Sequence, residues 1–252
     1  MGNVKEIRHM GNKPQMKIKK LDSENFVDLS TGEVRQFNHN AYTRADNLVT
    51  VAQSLKNLRD IINTNVTNHK KCLWVTLTYK ENMTDNIRLY EDFRRFWQRF
   101  KYYLNKSELP KCEYITAAEP QGRGAWHMHI IFVFSCTAPF IPNDTIAEIW
   151  QHGFTKTKSL ANVDNPGLYL TAYLGDMELS EAIMNGIDVS KEKQLKSVGK
   201  KAIIKGARLK LYPAQFRIYR RSKGIQQPIV KEGAEYVPVV RQPEAILTDM
   251  RV

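Results

Sequence analysis

The stretch CEYITAAEPQGRGAWHMHIIFVF, residues 112–134, constrains this chain more than any other. Two runs rich in apolar residues, 112–119 and 126–134, flank the loop PQGRG. That loop is too short for a crossover connection, so the two runs pair antiparallel as a hairpin. Strand side chains alternate with a period of two. Trp126, Met128, Ile130, Phe132 and Phe134 therefore share one apolar face, which reads as core. His127, His129, Ile131 and Val133 share the other.

The remaining elements build on this hairpin. Residues 16–38 read as a second hairpin turning at STGE, and 44–64 have helical spacing. CLWVTLTY (72–79) is a β-branched, aromatic strand. Asp85 caps a long amphipathic helix, 86–106, whose core stripe is Leu89, Phe93, Phe96, Phe100 and Tyr103. A helix from Asp144 or Thr145 runs through Trp150 and is ended by Gly153; a strand spans 154–159. Pro166 opens a helix containing GLYLTAYLGDM, and QFRIYRR (215–221) reads as an apolar–basic strand. Residues 225–252 hold three of the ten prolines and read as a loose tail. The long helices must cover the apolar sheet face, leaving the other partly open: an α+β layer with a functional sheet surface. The chain divides into an N-terminal extension with its hairpin (1–45), a main domain (46–225) and the tail (226–252).

Composition narrows the function. No run of 18 apolar residues exists, so no transmembrane helix is expected and no membrane partner. The N-terminus lacks the apolar segment of a secretory signal. Three scattered cysteines without CxxC spacing fit reduced thiols in a cytoplasmic protein. The net charge is +12 and it is concentrated: between Lys191 and Lys223, twelve Lys or Arg residues accompany one acid, Glu192. Tyr212, Phe216 and Tyr219 interleave with them, which favours a folded nucleic-acid surface over a solvated tail. Its candidate contacts are Lys200, Lys201, Lys205, Arg208, Lys210, Arg217, Arg220 and Arg221. No phosphate-cradling G-x-x-x-x-G-K-[ST] loop is present, so strand separation falls to a host helicase.

A bare His-x-His is more often two half-exposed strand histidines than a metal site. Here Glu119 ends the paired strand and can approach the start of the histidine strand. Glu119, His127 and His129 then supply one carboxylate and two imidazoles, a mixed donor set that suits Mn²⁺ or Mg²⁺. Downstream, Tyr169 and Tyr173 lie four apart on one helical face. Core packing is the commoner fate of such a pair; the functional alternative is a phenol nucleophile that attacks phosphorus.

Together, WVTLTY, Glu119, the His-Met-His strand and the later Tyr-x3-Tyr helix resemble the three motifs of HUH endonucleases. Their order is similar to that of plasmid and phage rolling-circle replication initiators, over roughly residues 70–225. The resemblance implies a five-stranded antiparallel sheet with helices on one face, in a ferredoxin- or RRM-like core. It implies a divalent ion held by Glu119, His127 and His129. It implies a tyrosine that nicks single-stranded origin DNA, keeps the 5′ phosphate and frees a 3′-OH for a polymerase. Tyr169 is the favoured nucleophile and Tyr173 the runner-up. Many relatives carry a lysine near the tyrosines, whereas this helix reads YLTAYLGDM. Asp176 could join the metal, activate the phenol or cap the helix, and Lys205, Arg208 or Arg217 could supply the missing charge. A conjugative relaxase with the same chemistry is one alternative, although its tyrosine usually precedes the histidines. A non-catalytic RRM-like binding module is the other, although it would carry aromatics where this sheet carries histidines.

Overall fold

A computed structural model describes residues 18–37, 40–160, 163, 165–184, 186–187, 195–198 and 201–229. In chain order its elements are β1 (Ile18–Lys20), β2 (Asn25–Asp28), β3 (Val34–Gln36), α1 (Leu48–Asn65), β4 (Cys72–Thr78) and α2 (Asn86–Lys106). There follow β5 (Cys112–Pro120), β6 (Trp126–Phe134), α3 (Asn143–Trp150), β7 (Thr155–Ser159) and α4 (Pro166–Gly175). The last are β8 (Met177–Glu178), α5 (Leu179–Met184), β9 (Leu195–Val198), β10 (Lys201–Ile204) and β11 (Tyr219–Arg221).

The architecture is α+β, centred on a five-stranded antiparallel sheet in the order β11-β5-β6-β4-β7. The hairpin register pairs Cys112 with Phe134 and Glu119 with His127, so the two faces divide by parity as the alternation predicts. Phe132, on the apolar face, meets α2. Its Asp85 cap accepts hydrogen bonds from the amides of Ile87 and Arg88, and Phe100 stacks on Phe132 at 4.5 Å between ring centres. Burying Leu89, Phe93, Phe96 and Phe100 contributes roughly 2 kcal/mol per side chain. Helix α3 joins the same layer: the Trp150 indole donates to the Thr78 carbonyl, and Arg99 reaches the Ile149 carbonyl.

The helical cover is not confined to that face. Trp74 pairs in register with Ile131, on the histidine side, and the Tyr169 ring of α4 meets it edge-on at 5.4 Å. Leu170 and Leu174 are fully buried there. Helix α1 packs on α4 so closely that a Cβ at Gly167 would lie 3.0 Å from the Arg59 carbonyl oxygen and 2.9 Å from Asn63 Oδ1.

Several expectations shift at the edges. The 16–38 hairpin gains a strand, giving the sheet β1-β2-β3. Helix α3 starts at Asn143 and ends on Gln151, whose φ of 68° is left-handed, rather than on Gly153. Gly153 is needed for a different reason: a Cβ there would sit 2.3 Å from the Thr78 oxygen. QFRIYRR shortens to Tyr219–Arg221 because Phe216 turns inward to stack on Trp126. The tail begins later than expected: Ile225 is buried, and Gln226 exchanges two hydrogen bonds with Asn65. Residues 230–252 lie outside the described residues, as do 1–17. Strands β8–β10, which the sequence pattern did not reveal, form a small sheet over Met177, Ala182, Ile204 and Ala207. Among the described residues, no helix is long and apolar enough to cross a membrane.

Candidate functional site

Two cross-strand rows on the second sheet face build the site. One runs Glu119, His127, Thr78; the next runs Ala117, His129, Thr76. Side chains directly opposite one another in a sheet lie about 5 Å apart, and diagonal neighbours remain within reach. Glu119 uses the diagonal. Its Oε2 lies 2.5 Å from His129 Nε2, across the small Ala117. Thr76 Oγ1 lies 3.2 Å from His129 Nδ1. A proton on His129 Nε2 satisfies the first contact by donating to Glu119, and the Thr76 hydroxyl pairs with Nδ1 on the other side of the ring.

His127 has the opposite character. Its Nε2 is buried and has no hydrogen-bond partner. Burial lowers its pKa to about 4, with Glu119 opposing that shift, so the ring is neutral at physiological pH. A neutral imidazole with an unpartnered buried nitrogen is a ready ligand. For Glu119, burial would raise the carboxyl pKa, but the His129 hydrogen bond and the charges of His129 and Arg208 outweigh it and leave it lowered. The donor types therefore fit a divalent ion. The gathering is incomplete, however: the histidine rings are 6.4 Å apart and perpendicular. Among the described residues, no three His, Cys, Asp or Glu side chains converge on one point.

Arg208, expected among the nucleic-acid contacts, is instead buried inside the protein. It reaches Glu119 Oε1 at 3.2 Å and donates to the Pro120 carbonyl at 2.7 Å. It also forks onto both oxygens of Glu181 and donates to the Asp176 carbonyl. A buried guanidinium needs such pairing, and Arg208 thereby ties the end of β5 to the end of α4. Asp176 ends α4 and bonds Lys205 Nζ at 2.5 Å and the Gly206 amide at 3.2 Å. Of the three roles open to Asp176, the geometry shows helix termination, and the Lys205 ion pair is added to it. Thr76 and Glu181 are the site residues that sequence reasoning missed. Strand alternation put Thr76 on the right face, but nothing in the sequence signalled Glu181.

Tyr169 is linked to the histidines through Trp74, whose ring centre lies 6.0 Å from His129 and 5.4 Å from Tyr169. Tyr173 follows one turn later on α4. Arg217 and Lys210 are exposed, Arg220 lies 3.5 Å over the Tyr90 ring, and Arg221 donates to the Ile225 carbonyl. Lys201 opens β10, while Lys200 lies outside the described residues.

Residues 72–178, the segment from β4 to β8 that contains Glu119, both histidines and α4, match a protein-family model described as replication-associated protein ORF2/G2P. Neither the curated proteins nor the solved structures yield a match.

Proposed function

From the match of residues 72–178 to the replication-associated protein ORF2/G2P family model, we propose that this chain is a replication initiator that nicks and rejoins one DNA strand through a tyrosine. The observation that supports this chemistry is the Glu119–His129 contact, with the unpartnered His127 nitrogen beside it, on the face where Tyr169 packs. Glu119, His127 and His129 are the residues that would hold Mn²⁺ or Mg²⁺. Bound there, the ion would polarise the scissile phosphate and offset transition-state charge.

The protein's own groups supply the rest. The Tyr169 phenol oxygen forms a bond to phosphorus as the bond to the 3′ oxygen breaks. The phenol proton leaves and the departing oxygen gains one. The downstream strand is then held by its 5′ phosphate, and attack by a 3′-OH reverses the step. Tyr173 is a second nucleophile or a phosphate-orienting hydroxyl. Single-stranded origin DNA is the substrate, with a host helicase and polymerase acting beside it.

The test is the covalent adduct. A 3′-labelled single strand from the replicon's own origin, with Mn²⁺, is expected to migrate with the wild-type protein on a denaturing gel. Tyr169→Phe should abolish that band. His129→Ala should also abolish it while leaving DNA affinity largely intact, since phosphate contacts dominate affinity. An adduct that survives in Tyr169→Phe and disappears in Tyr173→Phe moves the nucleophile by one helical turn. Survival in the double variant rejects tyrosine chemistry.

A further inference from the structure

Strand β7 is one edge of the central sheet, and its register extends the histidine rows outward. Lys156 pairs with Thr76, which pairs with His129; Lys158 pairs with Trp74, which pairs with Ile131. The ladder continues one residue beyond β7, where the Thr78 amide donates to the Phe154 carbonyl at 3.1 Å. Phe154 thus continues the row of Glu119, His127 and Thr78. By strand parity, Phe154, Lys156 and Lys158 project on the histidine face, while Thr155 turns into the core and bonds Asn143.

All three outward residues are exposed, Phe154 by 66%. Among the described residues, no ion pair engages either lysine. Lysines on an edge strand commonly guard against edge-to-edge aggregation. That role does not account for an exposed phenylalanine beside them, which would promote association. Alternate residues of a strand are roughly 6.7 Å apart, a spacing suited to successive nucleotides of an extended single strand. Cations alternating with an aromatic face are what sequence-tolerant single-strand binding requires.

We propose that this edge is the track for the single-stranded DNA flanking the scissile phosphate. Lys156 and Lys158 contact successive phosphates, and Phe154 stacks a base beside the His127 row. The lysines also supply, from the sheet, the positive charge that the tyrosine helix lacks. The identity of the polymer rests on the function proposed above.

The full chain is titrated with a fluorescent single-stranded oligonucleotide over a series of salt concentrations. The double variant Lys156→Gln, Lys158→Gln should flatten the log–log salt slope by about 1.4, two contacts at about 0.7 each. Phe154→Ala should weaken binding by about tenfold and leave the slope unchanged. Lys106→Gln, at the end of α2 on the opposite face, should change neither quantity. Wild-type slope and affinity in both β7 variants overturn the track. So does an equal loss of slope in Lys106→Gln, which would mean that binding follows net charge alone. If the wild type forms an adduct while the β7 variants bind unchanged, the track falls and the nicking reading stands. If no adduct forms while the variants lose slope and stacking, the track stands as a binding surface and the nicking reading falls.

Discussion

Arg208 bonds to three acidic residues through side chain or backbone: the carboxylates of Glu119 and Glu181 and the carbonyl of Asp176. Removing one member of a buried charge network leaves its partners desolvated and unpaired, which typically costs about 3–5 kcal/mol. Arg208→Gln should therefore lower the thermal unfolding midpoint by several degrees, even without DNA. Arg208→Lys should recover part of the loss, because it restores the charge but not the planar fork. An unchanged melting temperature in Arg208→Gln would show that the clamp carries no stability. Sequence composition counted Arg208 among the surface cations because a basic stretch carries no sign of which members turn inward. Only the fold brings Glu119 and Glu181, 62 residues apart, to one guanidinium.

At the scale of elements, α4 is held in place by α1. Gly167 allows the close approach, whereas a Cβ at Gly175 on the same helix would meet nothing within 4 Å. Gly167→Ala should push α4 outward, cost about 1–3 kcal/mol and reduce adduct formation by displacing Tyr169 from Trp74. Gly175→Ala should be neutral or stabilise by up to about 1 kcal/mol, through helix propensity and a less flexible unfolded chain. Chemical denaturation of the two variants provides the comparison, and equal stabilities would discount the α1–α4 contact. The long elements were legible. Helix α2 and strand β6 occupy residues 86–106 and 126–134 as their periodicity predicts, because each repeats its apolar spacing over many residues. Strands β8 to β10 were not, since two to four residues cannot establish a period.

For the molecule as a whole, a charge of +12 does not act as one uniform field. Lys205 is matched by Asp176, Arg220 lies against an aromatic ring, and Arg217 is exposed. Arg217→Gln should reduce the salt slope of single-strand binding by about 0.7, while Lys205→Gln should barely change it. Equal slopes in the two variants would mean that the ion pair with Asp176 opens when DNA binds. Cations on β7 and at β11 lie at opposite edges of one sheet, although 62 residues separate Lys158 from Arg220 in the chain.

The sequence by itself determined the hairpin, the parity that sets His127 and His129 on one face, the long helix on the other, and the carboxylate at the strand end. Each follows from a short-range rule of alternation, capping or loop length. Tertiary structure decided what those residues meet. Strand register sent Glu119 diagonally to His129 rather than straight across to His127, and brought Lys156 into the His129 row. Helix packing brought Tyr169 over Trp74 and drew Arg208 inside. Register and burial depend on contacts between distant segments, and no local pattern of residues encodes them.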